Sequence, residues 1–193
     1  MRLLFGQADL AELLKLQPSP LLSKRRLPSS AHRDVAERPV AKERNGDPEV
    51  EGAFSRIERA ILRFEVYDPT RVKTLLERYP VQEGDTVGLQ WLVAPPTTLF
   101  FGVRVIGVVN RQVNDGRFKT SVQYHTLEGH PVTGEETWSV EKDAKTGIVK
   151  VTFGSWSVPG TPLTSLLGPL TRMMQRDSTA ACLNWLESRA AKS

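Results

Sequence analysis

The chain has 193 residues, a formal net charge of +4 and a single cysteine, Cys182, so it suits one domain with an appendage, forms no internal disulfide and fits a reducing, cytoplasmic setting. Its basic residues are interleaved with nearly as many acids, and it has no zinc-finger spacing, RNP motif or Lys/Arg block of five, which argues against nucleic acid as a partner. The longest apolar run, Leu99 to Val109, is interrupted by Arg104 and falls short of the ~20 residues that span a bilayer, so a soluble protein without a transmembrane segment is expected, with peripheral membrane contact left open.

From the N-terminus, Leu10, Leu13, Leu14 and Leu16 predict a short amphipathic helix starting at Asp9. Gln17 to Glu49 is rich in proline, serine and charge and poor in large apolar residues after Leu27. It reads as a mobile linker, which makes residues 1–48 an N-terminal extension and 49–193 the folded domain. Phe54, Ile57, Ile61 and Phe64 recur at helical spacing and predict a helix over about 50–63. Thr70 to Arg78 reads as a second short helix after the Asp68-Pro69 break. Thr86 to Val93 alternates as a strand with Val87, Leu89 and Trp91 on one face. Leu99 to Val109 is a long strand in which Gly102 and Gly107 are positions for bulges or bends.

Asn114-Asp115-Gly116 is a hairpin turn into the clearest alternation of the chain, in which Phe118, Thr120, Val122 and Tyr124 share one face. Glu136 to Lys142 and Ile148 to Trp156 follow as two more strands around a turn at Gly147, ending at Pro159. The remainder is helical, with Leu163, Leu167, Leu170, Met174, Ala181 and Trp185 on one stripe. Pro169 either opens that helix at its first turn or kinks it, and a kink or short break is the expectation. The pattern is an α+β fold: a curved antiparallel sheet of five to seven strands gripping a long C-terminal helix.

Thr126-Leu127-Glu128-Gly129-His130, then Gly134-Glu135-Glu136-Thr137-Trp138, then VTFGSWSVP and GPLTRMMQ, resemble the signature blocks of the uncharacterised DUF1990 (UPF0548) family. The likeness is strongest from Val122 to the C-terminus. It extends more loosely to Gly52, Phe54, Ala60 and Leu62 of an upstream helix, with Phe64 where the family usually has a tryptophan. The resemblance implies a helix-grip fold of the START/Bet v 1-like kind, which usually encloses an apolar cavity between sheet and long helix.

Three residues are candidates for acid–base chemistry: His130, Glu135 and Glu136. Turn chemistry alone is the competing explanation. Strand alternation lets only one of the two glutamates face the core with Trp138 and Val140, and parity selects Glu136. A buried Glu136 must then be held by hydrogen bonds or paired, for instance with Arg172. His125, His130 and Glu135 lack metal-site spacing, so neither metal nor cofactor is expected. Ser155 and Ser157 lack a nucleophile-elbow setting, and Cys182 within an apolar helix reads as an inert core thiol. Trp91, Tyr124, Trp138, Phe153, Leu170, Met173 and Met174 are either core packing or the lining of a site. The leading expectation is binding of a small apolar molecule or lipid. The alternatives are an enzyme using His130 with Glu135 or Glu136, and a scaffold or membrane-peripheral protein.

Overall fold

The computed structural model describes residues 2–4, 9–19, 31–94, 97–159 and 168–191, with the backbone alone at 2–4, 93–94 and 168–175. In chain order the elements are β1 (Arg2–Leu4), α1 (Leu10–Leu14), β2 (His32–Lys42), α2 (Ala53–Leu62), β3 (Val72–Leu76), β4 (Thr86–Ala94), β5 (Thr97–Asn114), β6 (Arg117–Thr126), β7 (Val132–Asp143), β8 (Ile148–Pro159) and α3 (Gly168–Ala191). One antiparallel sheet runs β2-β8-β7-β6-β5-β4-β3, with β1 paired to β5 off that path. β1 takes the side of β5 around Leu99 that β6, whose pairing begins at Val103, leaves open.

The meander from β4 to β8 follows from alternation and turns. Gly116 and Gly147 both hold positive φ in the connections that close β5–β6 and β7–β8. On the inner face the register stacks Val105, Tyr124, Glu136 and Ser155 in one row, with Val122, Trp138, Phe153 and Ala36 beside it. β5 slips register between Val105 and Gly107 and again between Val109 and Gln112, where Arg111 adopts φ 46. These bulges bend the strand so that the sheet closes over its inner face. Gly107 therefore marks a bend as expected. Gly102 does not: a Cβ there would stand 2.9 Å from Leu127 Cδ1 and 3.0 Å from Leu13 Cδ1, so its role is to let α1 approach.

Helix α2 buries Phe54, Ile57, Ala60 and Ile61 completely against β6 and β7. Its start is set by Glu43, whose Oε1 accepts from the Phe54 N–H at 2.7 Å and whose Oε2 meets the fully buried Lys142 Nζ at 2.8 Å. A Cβ on Gly52 would collide with that carboxylate, which explains the glycine at the N-cap. Burial alone would raise the Glu43 pKa, but hydrogen bonds from Lys142 and from the Phe54 and Glu49 backbone outweigh it and hold the group below the ordinary carboxylate range.

Helix α3 lies across α2, β2 and β8 and buries Cys182, Leu183, Leu186 and Ala190. The buried stripe is thus one position on from the expected Ala181–Trp185 line. Trp185 is half-buried and spends its indole N–H on the Glu65 carbonyl at 3.0 Å. Pro169 is the second described residue of α3, and the stretch before it, 160–167, lies outside the described residues, as does the expected kink or short break there.

Two further expectations are corrected. Residues 72–76 form a strand paired with β4, because Val72 is buried beside Trp91 in the sheet. Residues 32–42, read as part of a mobile linker, form the sheet's edge strand, paired with β8 from His32↔Ser157 to Lys42↔Ile148. The residues it packs toward the core are small or amphipathic, Ala36, Arg38, Val40 and Ala41, and charged residues alternate with them, which is how edge strands resist pairing with other chains and why it lacks an apolar signature. The helix from Asp9 is confirmed, with the Asp9 side chain capping the Ala11 N–H at 2.9 Å.

The outer face of the sheet is covered in part by α1 and the segment after it. Leu13 packs with Phe100 and Leu127, Ser19 N donates to the Thr126 carbonyl at 2.9 Å, and the Ser19 hydroxyl donates to the Leu127 carbonyl at 2.8 Å. The whole is a curved antiparallel sheet with its long helix laid along the inner face, the helix-grip arrangement.

Candidate functional site

At one end of the inner face Thr120 bonds Glu58 and the buried Lys142 pairs with Glu43; towards the other end stands a second polar group, Glu136. Glu136, projected inward by strand parity, accepts at Oε1 from the Tyr124 hydroxyl on the neighbouring strand and from the Trp138 indole N–H at 2.8 Å. Tyr67, in the segment between α2 and β3, lies 2.8 Å from the Tyr124 hydroxyl. Tyr124 has only one proton and directs it at Glu136, so the Tyr67 hydroxyl is the donor in that bond. A one-way chain Tyr67→Tyr124→Glu136 results, and Oε2 receives no hydrogen bond among the described residues.

Tyr124 and Trp138 are closed off, with 3% and 2% of their surface accessible, whereas Glu136 and Tyr67 keep part of theirs. Enough protein surrounds Glu136 for burial to push its pKa up, against the opposing pull of the Tyr124 and Trp138 donors and, last, of the nearby Tyr67 hydroxyl. Burial, then the Glu136 charge, push both tyrosine hydroxyls well above the ordinary value. No described cation is bonded to Glu136, and the side chain of its expected partner Arg172 lies outside the described residues.

The aromatic frame is built by Phe64. Helix α2 ends in a Schellman-type closure, with Glu65 N donating to the Ala60 carbonyl at 2.7 Å and Phe64 N to the Ile61 carbonyl at 3.0 Å. That closure puts Phe64 at φ 55, a position that glycine usually fills. The backbone strain is held because the ring, 2% exposed, packs 5.1 Å from Tyr124 and 6.3 Å from Tyr67, centroid to centroid. From the helix side Cys182 faces the same point: burial and then the Glu136 charge push its thiol up to about 12, so it stays protonated and inert, as the sequence suggested.

Of the residues proposed from sequence, Trp91, Tyr124, Trp138 and Phe153 all occupy the inner face. Trp138 and Phe153 stack at 4.8 Å, and Trp91 packs half-buried on the core margin. Leu170, Met173 and Met174 belong to α3, but their side chains lie outside the described residues. His130, Glu135 and Glu136 are not brought together. Glu135 points outward, its Oε2 accepting from Gln123 Nε2 at 2.9 Å and its Oε1 standing 4.0 Å from His125 Nδ1. His130 sits in the turn before β7, with Nδ1 over the Val132 peptide and its ring 4.5 Å from Phe101; burial pushes its pKa down to about 3. His125 leaves on the outer face as expected, yet it is fully buried there, with Nε2 3.0 Å from the Ser19 carbonyl. No group of His, Cys, Asp and Glu able to hold a metal occurs among the described residues. Tyr67 was missed by sequence reasoning, because its contact with Tyr124 spans 57 positions and nothing local marks it.

The fold recurs in solved structures of very different sequence. Hypothetical protein jhp0584 from Helicobacter pylori superposes with a TM-score of 0.54 at 11% identity, over 90% of this chain and 97% of its own. TTHA0849 from Thermus thermophilus gives 0.50 at 14% identity, over 83% and 96%. Truncated norcoclaurine synthase from Thalictrum flavum gives 0.50 at 12% identity, over 87% and 98%. At these identities the likeness is one of fold, Bet v 1-like and helix-grip. No curated protein sequence matches the chain. The model of one family does match, over residues 18–185, and the chain belongs to it: DUF1990, described as a domain of unknown function.

Proposed function

We propose that the chain binds one small, largely apolar molecule between the inner face of the sheet and α3, with Glu136, Tyr124 and Tyr67 as the polar end of the site. The observation that carries this reading is Glu136 itself, a carboxyl set between Tyr124 and Trp138, hydrogen-bonded on one oxygen only among the described residues and still partly accessible. An apolar surround with a few convergent polar groups is the usual composition of a small-molecule site. A carboxyl with no structural partner for its second oxygen is costly unless something else meets it. Trp138, Phe153 and Trp91 would form the apolar wall. At about 0.8 kcal/mol per buried CH₂, a guest with roughly eight to ten buried carbons reaches micromolar affinity after ordering costs.

Ser155 tests this, because it stands in register with Glu136 on β8 and is itself half-buried. Ser155→Trp should abolish binding of a neutral, environment-sensitive dye such as Nile red while leaving the urea midpoint nearly unchanged. Loss of about 1–3 kcal/mol of stability, with no dye binding by the native chain, would mean that the space is packed solid and the reading is wrong.

A further inference from the structure

Resting on that reading of the inner face as a binding site, we infer that the guest is an apolar amine, whose cationic nitrogen is received by Glu136 Oε2. The argument is one of hydrogen-bond capacity. The Tyr124 proton is committed to Glu136 Oε1, the Tyr67 proton to Tyr124 and the Trp138 indole proton to Glu136 Oε1. These three donors are therefore spent inward; Ser155, the next residue of the row, adds one neutral hydroxyl that gives and accepts alike. What the three leave for a guest is acceptor capacity: the lone pairs of Oε2 and those of the Tyr67 hydroxyl.

A carboxylate-headed guest finds no free donor among these groups beyond the Ser155 hydroxyl and meets a like charge. An alcohol can give one hydrogen bond. An ammonium can give two or more and also neutralise a carboxylate that the described residues leave without a cation. Of the rings beside the carboxyl, that of Tyr67 keeps part of its surface accessible, and aromatic faces attract cations. Among the described residues, the other titratable groups facing Glu136 are the hydroxyls of Tyr67 and Tyr124 and the thiol of Cys182 on α3, all held in their neutral forms by burial. Asp34 on β2 stands one strand beyond, in register with Ser155. Burial raises the Glu136 pKa and so favours the neutral carboxyl, whereas a guest cation favours the ionised form and binds more tightly as pH rises through that pKa.

The test compares three probes of equal chain length, n-octylamine, octanoate and octan-1-ol, by calorimetric titration of the full chain. Octylamine should bind at least about tenfold more tightly than octanol, and octanoate most weakly. Glu136→Gln should reduce octylamine to the octanol level. With the native chain, octylamine affinity should fall as pH falls through the folded pKa of Glu136, within about pH 4 to 9 where the amine stays cationic, while octanol affinity stays flat. That profile needs no variant and decides the matter if Glu136→Gln folds poorly. Octanol or octanoate binding as tightly as octylamine, or a pH-independent octylamine affinity, overturns the amine inference and leaves the binding site standing. Failure of all three probes removes both.

Discussion

Phe64 shows how a single residue can hold a site under strain. A left-handed backbone costs a non-glycine residue roughly 1–2 kcal/mol, while burying a phenylalanine ring is worth about 3–5 kcal/mol against its loss to alanine, so the ring wins. Phe64→Gly relieves the first term and forfeits the second, whereas Phe64→Ala forfeits the ring and keeps the strain. We therefore expect the alanine variant to be less stable than the glycine variant by about 1 kcal/mol, the reverse of the order inside a helix, as read from urea midpoints. Glu136 gives a prediction in pH. Its folded pKa is raised, so the native state holds the proton more tightly than the unfolded chain, and stability is lost as pH rises from the unfolded carboxyl value through the folded one. Glu136→Gln should remove that decline and gain on the native chain towards high pH, a crossing visible in thermal midpoints measured across pH in the absence of guest.

Among the elements, α2 and β7 depend on one buried ion pair. Lys142 is fully buried and donates both to Glu43 Oε2 at 2.8 Å and to the Asp47 carbonyl at 2.8 Å. Lys142→Ala leaves the Glu43 carboxylate enclosed at the start of α2 with its cation gone, and should cost about 3–5 kcal/mol; Glu43→Gln with Lys142→Met should recover much of this. Because the partner carboxylate follows directly on β2, deleting residues 1–47 removes the edge strand together with Glu43. We expect that truncation to lose its cooperative thermal transition, whereas deletion of residues 1–30, which spares both, should fold with a lowered midpoint as Phe100 and Leu127 lose Leu13. This reverses what composition suggested, and the reason is physical. β4 to β8 were legible because each has a buried face written in period two. β2 packs only small and amphipathic residues against the core, and its stability comes from the ladder to β8, which leaves no local trace. The inward turn of Glu136 was legible from parity with Trp138. The second half of its relay, Tyr67, was not, because it arrives from a loop.

At the scale of the whole molecule, stability should be graded from the centre of the sheet outward. β6, β7 and β8 have strands on both sides and α2 or α3 above them, whereas β3 is an edge of five residues and β5 is broken by two register shifts. Hydrogen exchange should be slowest along Val122, Trp138 and Val151 and fastest among the edge amides and around Gly107 to Arg111; equal protection throughout would contradict this grading. The placement of β2 beside β8 also orders events in time. The Glu37–Lys150 contact closes across 113 positions, so the first long strand to be synthesised pairs with the last. At roughly 5–20 residues per second, β2 leaves the ribosome about 6 to 23 seconds before its partner exists. The charges of Arg33, Asp34, Glu37, Arg38 and Lys42, with Pro39 among them, keep a waiting strand from pairing with another nascent chain. Closure of the sheet then waits until β8 has emerged, with α3 still to dock, and a translational pause placed before β8 would lengthen the interval in which the growing chain is exposed to chaperones and proteases.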